Sequence, residues 1–325
     1  MKRELEVMIP AAYPLAGTLT LPEGNQEKYP LIVFVHGSGD IDRDSNAKGL
    51  AINIFKELSD LAVAEGFATI RYDKRGVGES KGDFLEAGVY DLIDDAQAVL
   101  EFAKKQPGID PDRVILLGHS EGSIIAPFVN ERVPVNGMVL LAGTAECLAR
   151  TTEWQREKMM EDVRSLRGFQ GWLLRLLKLD QKIEKMNEDM SKAILSTDAA
   201  VIKHKGKKIN AKWNREHGVV DVSKVLVNAE CPVLAITGTK DINVKLTDLD
   251  KMRELIPGEC ETHVIENMNH ILRKTDKEGF STIINEYKKI VKQPVDRELK
   301  DLLSGWLSEW KNREATVEAA ELVMK

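Results

Sequence analysis

Apolar and polar residues alternate at the start of the chain, and short apolar runs replace this pattern further on. Residues 3–9 and 15–21 alternate and end at prolines, which predicts two strands joined by a turn. The run Leu31–Val35 is continuous and rich in branched residues, as in a strand covered on both faces. Similar runs predict further strands at 66–73, 113–118, 136–143, 231–238 and 261–267.

Segments with helical spacing separate most of these runs. They cover residues 48–65, 88–105, 121–131 and 276–292. Because strands and helices alternate along the chain, we predict an α/β fold, with a mostly parallel central sheet flanked by helices.

The strand–helix rhythm stops between about residues 145 and 225. This segment has no strong strand pattern and contains helical spacing such as GWLLRLLKL. We predict a helical cap or lid at 145–225, inserted into a core made of residues 1–144 and 226–293.

A last segment follows Pro294 and has apolar side chains on one helical face. These are Leu299, Leu302, Leu303, Trp306, Leu307 and Trp310. We predict a C-terminal helical extension over 294–325. Two roles stay open for it, a contact that forms a homodimer and packing against its own domain.

Composition excludes some classes of partner. The chain has 325 residues, 43% of them hydrophobic, and 46 basic against 52 acidic side chains give a net charge of −6. An acidic chain of this kind gives no reason to expect a nucleic acid partner. The basic run KHKGKK at 203–208 is more typical of a solvated hairpin or loop.

Other features predict a cytoplasmic protein without a membrane partner. No run approaches the roughly 18 apolar residues that a spanning helix needs. The N-terminal MKRELEVMIP lacks the apolar stretch of a signal peptide. Cys147, Cys231 and Cys260 are widely spaced and suit a reducing compartment better than a disulfide framework or a metal site.

Ser120 lies between two glycines in the stretch LLGHSEGSIIA. Gly118 and Gly122 complete the pattern G-x-S-x-G, directly after a predicted strand and before a predicted helix. This is the context of a nucleophile elbow, although a plain turn between strand and helix is the alternative. A serine hydroxyl becomes a useful nucleophile only beside a base, which in turn needs an orienting carboxylate.

His270 and Asp241 are the candidate base and carboxylate. His270 follows the last predicted strand and Asp241 follows the strand at 231–238, so both leave the edge of the sheet where Ser120 lies. The order Ser120, Asp241, His270 also fits a nucleophile elbow. His119 adjoins Ser120, and its side chain is expected to point away from that of the serine. For Asp241 the alternative is a turn or cap role.

Two backbone amides are the candidate oxyanion hole. The N–H of Glu121 follows the nucleophile at a helix N-terminus, and the N–H of Ser38 lies in the loop after the third strand. Gly37 and Gly39 flank Ser38 and leave room for a substrate carbonyl. A simple glycine turn is the alternative.

These motifs together resemble the α/β-hydrolase superfamily over about residues 15–292. The residues concerned are HGSG (36–39), YDKRGVGES (72–80), GHSEG (118–122), GTKD (238–241) and NMNH (267–270). The stretch HGSGDIDRD (36–44) is similar to a bacterial esterase and serine-aminopeptidase-like (S9/S33-like) branch. That branch implies a cap after the sixth strand. Within YDKRGVGES, Asp73 and Arg75 are expected to form an ion pair that holds the loop.

The resemblance implies serine hydrolysis through an acyl-enzyme, with no metal and no organic cofactor. The first hypothesis is a carboxylesterase for small-molecule esters with short to medium acyl chains. A peptidase or aminopeptidase is second, with Glu146 or Glu153 as anchors for an amino terminus. Thioester hydrolysis, acyl transfer to another acceptor and a non-catalytic binding protein also stay open.

Overall fold

An eight-stranded sheet forms the centre of the protein. The structure is a computed structural model that describes residues 2–24, 26–165 and 179–323. In chain order its strands are β1 (Lys2–Ile9), β2 (Leu15–Pro22), β3 (Tyr29–Val35), β4 (Ala68–Tyr72), β5 (Ile109–His119), β6 (Gly137–Leu141), β9 (Val233–Lys240) and β10 (Cys260–Asn269). Between β6 and β9 the chain forms a separate hairpin of β7 (Val201–His204) and β8 (Lys207–Asn210).

The sheet is mostly parallel, as the sequence predicts. Its spatial order is β1-β2-β4-β3-β5-β6-β9-β10. Only the pairs β1–β2 and β2–β4 are antiparallel. The carboxyl ends of β3, β5, β9 and β10 therefore lie at one edge, and the loops that leave this edge carry the candidate site.

Helices cover both faces of the sheet. They are α1 (Ile54–Ala64), α2 (Val89–Ala103), α3 (Gly122–Arg132), α4 (Leu148–Ser165), α5 (Leu179–Leu195), α6 (Ala211–His217), α7 (Ser223–Leu226), α8 (Thr247–Leu255), α9 (Phe280–Ile290) and α10 (Arg297–Val323). A short 3₁₀ turn spans Phe84–Glu86.

Strand β3 shows why the apolar runs are continuous. Leu31, Val33 and Val35 face the core with α2 and α3, whereas Ile32 and Phe34 face the core with α1 and α10. A strand covered on both sides has no polar face, so the alternation disappears from its sequence.

The segment 145–225 contains α4, α5, α6, the start of α7 and a hairpin, which is one of the two forms expected for the basic run at 203–208. Strands β7 and β8 are paired from Val201–Asn210 to His204–Lys207. Lys205 and Gly206 both have positive φ, 47° and 82°, as a two-residue hairpin turn requires. The stretch GWLLRLLKL lies almost wholly outside the described residues.

Helix α10 folds back onto its own chain, which is one of the two arrangements left open by the sequence. Leu299, Leu303 and Leu307 are fully buried against the face that also contains Phe55 of α1. Trp310 Nε1 donates a hydrogen bond to the carbonyl oxygen of Asn136 at 2.9 Å. None of the helices in the described ranges is long and apolar enough to cross a lipid bilayer.

Candidate active site

Ser120 occupies a sharp turn between β5 and α3. Its φ of 56° is left-handed, which costs a residue with a Cβ about 1–2 kcal/mol. The Ser120 N–H donates to the carbonyl oxygen of Leu141 at 2.9 Å, and Ser123 Oγ donates to the Ser120 carbonyl oxygen at 2.6 Å. The strained backbone is held by these bonds, so the hydroxyl projects from the end of the sheet.

The two glycines of G-x-S-x-G are required by close packing. A Cβ on Gly118 would overlap the carbonyl oxygen of Gly122, and a Cβ on Gly122 would overlap the carbonyl oxygen of Val35. The turn brings backbone against backbone, which only glycine allows at these two positions.

Ser120, His270 and Asp241 form one hydrogen-bonded chain. His270 Nε2 lies 2.9 Å from Ser120 Oγ. His270 Nδ1 lies 2.9 Å and 3.1 Å from the two carboxylate oxygens of Asp241. Because a carboxylate only accepts, Nδ1 carries a proton and Nε2 is left to accept from the serine hydroxyl. The structure brings the three predicted residues together in the arrangement of a Ser-His-Asp triad.

Asp241 is oriented by its own loop. Its side chain is 0% exposed. Besides the imidazole, Asp241 Oδ1 accepts from the backbone N–H groups of Asn243 and Val244 at 2.8 Å and 3.2 Å. The turn role considered as an alternative for Asp241 is therefore present together with the contact to His270.

The candidate oxyanion donors Ser38 and Glu121 belong to the loop after β3 and to the turn that carries Ser120. Gly37 packs so closely that an added Cβ would lie 3.2 Å from Ser120 Cβ. Ser38, Ser120 and His270 line one cavity. Within the part of the chain that the structure describes, the N–H groups of Ser38 and Glu121 have no acceptor. Ser38 lines the cavity and Glu121 adjoins Ser120 in the chain, so the two amides stay candidate donors to an oxygen bound there.

The side chain of Glu121 is buried and joins two other residues. Its Oε1 accepts from Trp213 Nε1 at 2.7 Å, and its Oε2 lies 3.3 Å from Lys74 Nζ. Lys74 Nζ also donates to the carbonyl oxygens of Gly37 at 2.7 Å and Gly39 at 3.3 Å. The sequence did not single out Lys74 or Trp213, because a lysine in a glycine-rich loop ordinarily faces solvent.

His119 supports the loop that carries the candidate base. As predicted, it makes no bond to Ser120. Its Nε2 donates to the carbonyl oxygen of His270 at 2.8 Å, and the two rings lie 5.2 Å apart. Burial lowers the pKa of His119 to about 4, so the ring is neutral at pH 7. Its position next to the serine was the only sequence signal for this role.

The expected ion pair between Asp73 and Arg75 does not form. Arg75 instead bonds both carboxylate oxygens of Asp95 at 2.7 Å. Asp73 accepts from the guanidinium and the backbone N–H of Arg43, at 2.8 Å and 2.9 Å for the closest contacts. The reason is the path of the loop after β3, which passes over Asp73 and supplies a partner distant in sequence.

The cavity at Ser120 is small and partly apolar. Its volume is about 260 Å³, and isoleucines line it beside the candidate catalytic groups: Ile41, Ile52, Ile54 and Ile271. Gln155 of α4 closes one side and donates to the carbonyl oxygen of Asn243 at 2.6 Å. A larger groove of about 1020 Å³ lies along α10, but none of the candidate catalytic groups lines it.

The two acidic residues considered as amino-terminus anchors lie in different surroundings. Glu146 bonds Lys245 and Lys251, and the Lys251 contact is 2.8 Å. Burial acts to raise the pKa of Glu146, but the bonds to these two lysines outweigh it and lower the pKa, so the carboxylate is charged and paired. Glu153 is exposed, faces Arg156 at 3.8 Å and lines a separate cavity of about 530 Å³. Neither residue lines the cavity at Ser120.

Comparison with known proteins agrees with the fold and the motifs. Residues 27–277 match the family model described as serine aminopeptidase, S33. The chain belongs to this family of α/β-hydrolases. The family resemblance predicted from the sequence is thereby confirmed.

This S33 hydrolase is similar to Esterase EstD of Thermotoga maritima, with 28% identity over 295 residues that cover 90% of the chain. It also matches an uncharacterised 31.7 kDa protein of Escherichia coli, with 39% identity over 108 residues. The chain spans 65% of the length of EstD and 34% of that of the E. coli protein.

Two solved structures share the fold of this S33 hydrolase. Est1E from Butyrivibrio proteoclasticus, with ferulic acid bound, has a TM-score of 0.60 at 16% identity and covers 95% of this chain and 99% of its own. The proline iminopeptidase of Mycobacterium smegmatis has a TM-score of 0.62 at 15% identity and covers 95% and 100%. At this identity the likeness concerns the fold alone.

Proposed function

We propose that the protein is a serine hydrolase that cleaves carboxylic esters of short to medium acyl chains through an acyl-enzyme. The observation that carries this proposal is the hydrogen-bonded chain from Ser120 Oγ through His270 to Asp241. The candidate donor amides of Ser38 and Glu121, which have no acceptor among the described residues, support it. The name of the relative EstD, an esterase, supports the same activity.

Acylation begins when Ser120 Oγ attacks the acyl carbon of the ester. His270 Nε2 takes the hydroxyl proton as the new C–O bond forms, and the carbonyl oxygen becomes an oxyanion. The amides of Ser38 and Glu121 donate to this oxygen, and the N-terminus of α3 adds its positive end. Asp241 stabilises the imidazolium that results.

The acyl-enzyme then forms and is hydrolysed. The bond to the leaving alcohol breaks while Nε2 returns its proton to that oxygen. Water attacks the acyl carbon, gives its proton to the same nitrogen and forms a second oxyanion on the same two amides. Collapse of this intermediate returns the proton to Ser120 Oγ and releases the carboxylic acid.

The size of the cavity favours a substrate with a small acyl group. Its volume of about 260 Å³ lies just below the usual range of ligand pockets in proteins, roughly 300 to 1,000 Å³. The isoleucine lining favours an alkyl chain over a charged group, because no Asp, Glu, Lys or Arg lines the cavity in the described residues.

A peptidase specific for a free amino terminus is the second candidate, because the matching family is described as serine aminopeptidase. Glu153 is the acidic residue available for such an anchor, since two lysines hold Glu146. Comparing aminoacyl-p-nitroanilides with p-nitrophenyl esters separates the two candidates.

The cytoplasmic location and the homodimer stay predictions from the sequence.

Ser120→Ala tests the proposed function. We expect turnover of p-nitrophenyl butyrate to fall at least about 10³-fold, since the nucleophile of a triad cannot be replaced by its neighbours. A fluorophosphonate probe should label the unchanged protein at Ser120 and leave the variant unlabelled. Ser196→Ala, at an exposed serine at the end of α5, is the control with full turnover. Turnover that survives in Ser120→Ala would reject the assignment.

A further inference from the structure

We propose that Lys74 is a positioning residue for the oxyanion hole, and that Glu121 and Trp213 link it to the segment 145–225. This inference rests on the proposed function. It concerns the orientation of the two amides that would bind the oxyanion.

The ammonium group of Lys74 contacts the loop after β3. Lys74 lies two residues beyond the end of β4 and is 3% exposed. Its three donors match three acceptors, the carbonyl oxygens of Gly37 and Gly39 and the carboxylate of Glu121. A buried ammonium is tolerated only with such a complete set, so the loop and the carboxylate are held to it.

The bond to Gly37 fixes the direction of the Ser38 amide. The Gly37 carbonyl and the Ser38 N–H belong to one planar peptide unit, and no peptide bond in the described residues is cis. In a trans peptide the C=O and N–H point in opposite directions. With the oxygen held at 2.7 Å by Lys74, the N–H of Ser38 points away from Lys74.

Without Lys74 this peptide would lose the only side-chain partner of its carbonyl among the described residues. Rotation of this peptide changes ψ of Gly37 and φ of Ser38, and Gly37, which has no Cβ, offers little resistance to it. A rotated peptide would present its carbonyl oxygen, not its N–H, to a developing negative charge. The ammonium therefore maintains the productive orientation.

Glu121 joins this arrangement to the second amide. The same residue supplies the other candidate donor through its backbone and holds Lys74 through its side chain. Its remaining oxygen accepts from Trp213 Nε1 at 2.7 Å, and Trp213 lies on α6 within 145–225. The contact of α6 with the core is thus linked to both candidate donors through the buried carboxylate of Glu121.

A purely structural role makes a different prediction. If Lys74 only satisfies a buried carboxylate, its loss lowers the melting temperature and leaves the chemistry of the folded fraction unchanged. A positioning role lowers kcat at similar KM. It also weakens an inhibitor that forms an oxyanion on Ser120, such as an alkyl trifluoromethyl ketone, but not the matching secondary alcohol, which forms none.

Lys74→Met tests the proposal, because it removes the ammonium and keeps an unbranched stem. For p-nitrophenyl butyrate we expect kcat to fall about 10- to 10³-fold, as for loss of an oxyanion donor, with KM within about threefold. The affinity of the trifluoromethyl ketone should fall by a similar factor. Lys212 lies on α6 next to Trp213 and pairs with Asp91 of α2. Lys212→Met removes this ion pair and is the control with unchanged kcat.

An unchanged kcat and unchanged ketone affinity in folded Lys74→Met would overturn the proposal. If that variant does not fold, Glu121→Gln takes its place, because it keeps the amide and the acceptor for Trp213 but removes the charge that holds Lys74. An unchanged kcat in Glu121→Gln would then overturn it. Failure of the proposed function looks different, since the unchanged protein itself would neither hydrolyse the ester nor react with the fluorophosphonate.

Discussion

At the scale of single residues, hydrogen bonds from neighbouring groups hold the side chains of the candidate site in position. Asp241 accepts from two backbone amides and from His270, so its position does not depend on the charge of the imidazole. His119 holds the backbone of His270 from the other side. The imidazole is therefore fixed from both ends before any substrate arrives.

Asp241→Asn should separate orientation from charge. The amide keeps the shape of the carboxylate, but its NH₂ group facing Nδ1 would favour the tautomer with the proton on Nε2, which cannot accept from Ser120. We expect kcat for p-nitrophenyl butyrate to fall about 10⁴-fold with the fold retained. Asp250→Asn, at an exposed aspartate of α8, is the matched control. A kcat within tenfold of the unchanged protein would contradict the role of Asp241.

Residues that follow a strand could be read from the sequence, whereas buried polar contacts between loops could not. Ser120, Asp241 and His270 each follow a recognisable apolar run, and parallel strands end at one edge. Lys74 also follows an apolar run, at the end of β4, but neither Lys74 nor Arg43 could be given a role, because their partners come from loops far away in the chain. Only the path of the folded backbone determines that Lys74 is buried and that Arg43 pairs with Asp73.

At the scale of elements, helix α10 shows what an apolar stripe does and does not specify. The spacing of leucines and tryptophans predicted a buried helical face, but it carried no information about the surface that covers it. The structure supplies this surface from the same chain, with Phe67 and Trp310 in ring contact at 5.8 Å. For the hairpin of β7 and β8 the sequence left a hairpin and a loop as alternatives, since its polar, half-exposed strands lack an apolar run.

Leu303→Ala measures the contribution of α10 to stability. Leu303 is fully buried, so the variant loses apolar contacts and leaves a cavity, which costs about 2–5 kcal/mol of unfolding free energy. Asp301→Ala, on the exposed face of the same helix, should stay within about 0.5 kcal/mol. Urea denaturation of both variants gives the values. Equal stability of the two would mean that α10 does not pack on the core in solution.

At the scale of the whole molecule, two buried histidines lie at the carboxyl edge of the sheet, next to the candidate site. His36 follows β3 and His119 ends β5, two strands that are neighbours at the centre of the sheet. Burial lowers the pKa of His36 to about 3 and that of His119 to about 4. His36 bonds the backbone carbonyl of Tyr72 through Nε2, which a neutral imidazole can do with one proton.

These histidines should make the fold sensitive to mild acid. In the unfolded chain a histidine binds a proton below about pH 6.5, whereas the folded protein does not protonate His36 or His119 until about pH 3–4. Their contribution is therefore fully present above pH 6.5 and is lost as the pH falls towards 4. Between pH 7 and pH 5 the unfolding free energy should drop by about 2 kcal/mol for each of the two.

His36→Gln isolates this effect from the carboxylates, because an amide can donate to the Tyr72 carbonyl but does not titrate. The variant starts from a lower stability at pH 7, since glutamine fills less of the space between Phe55 and Tyr72. Its loss between pH 7 and pH 5 should nevertheless be smaller than that of the unchanged protein by about 2 kcal/mol. Urea denaturation at the two pH values measures both losses. Equal losses would show that His36 binds its proton as readily in the folded protein as in the unfolded chain.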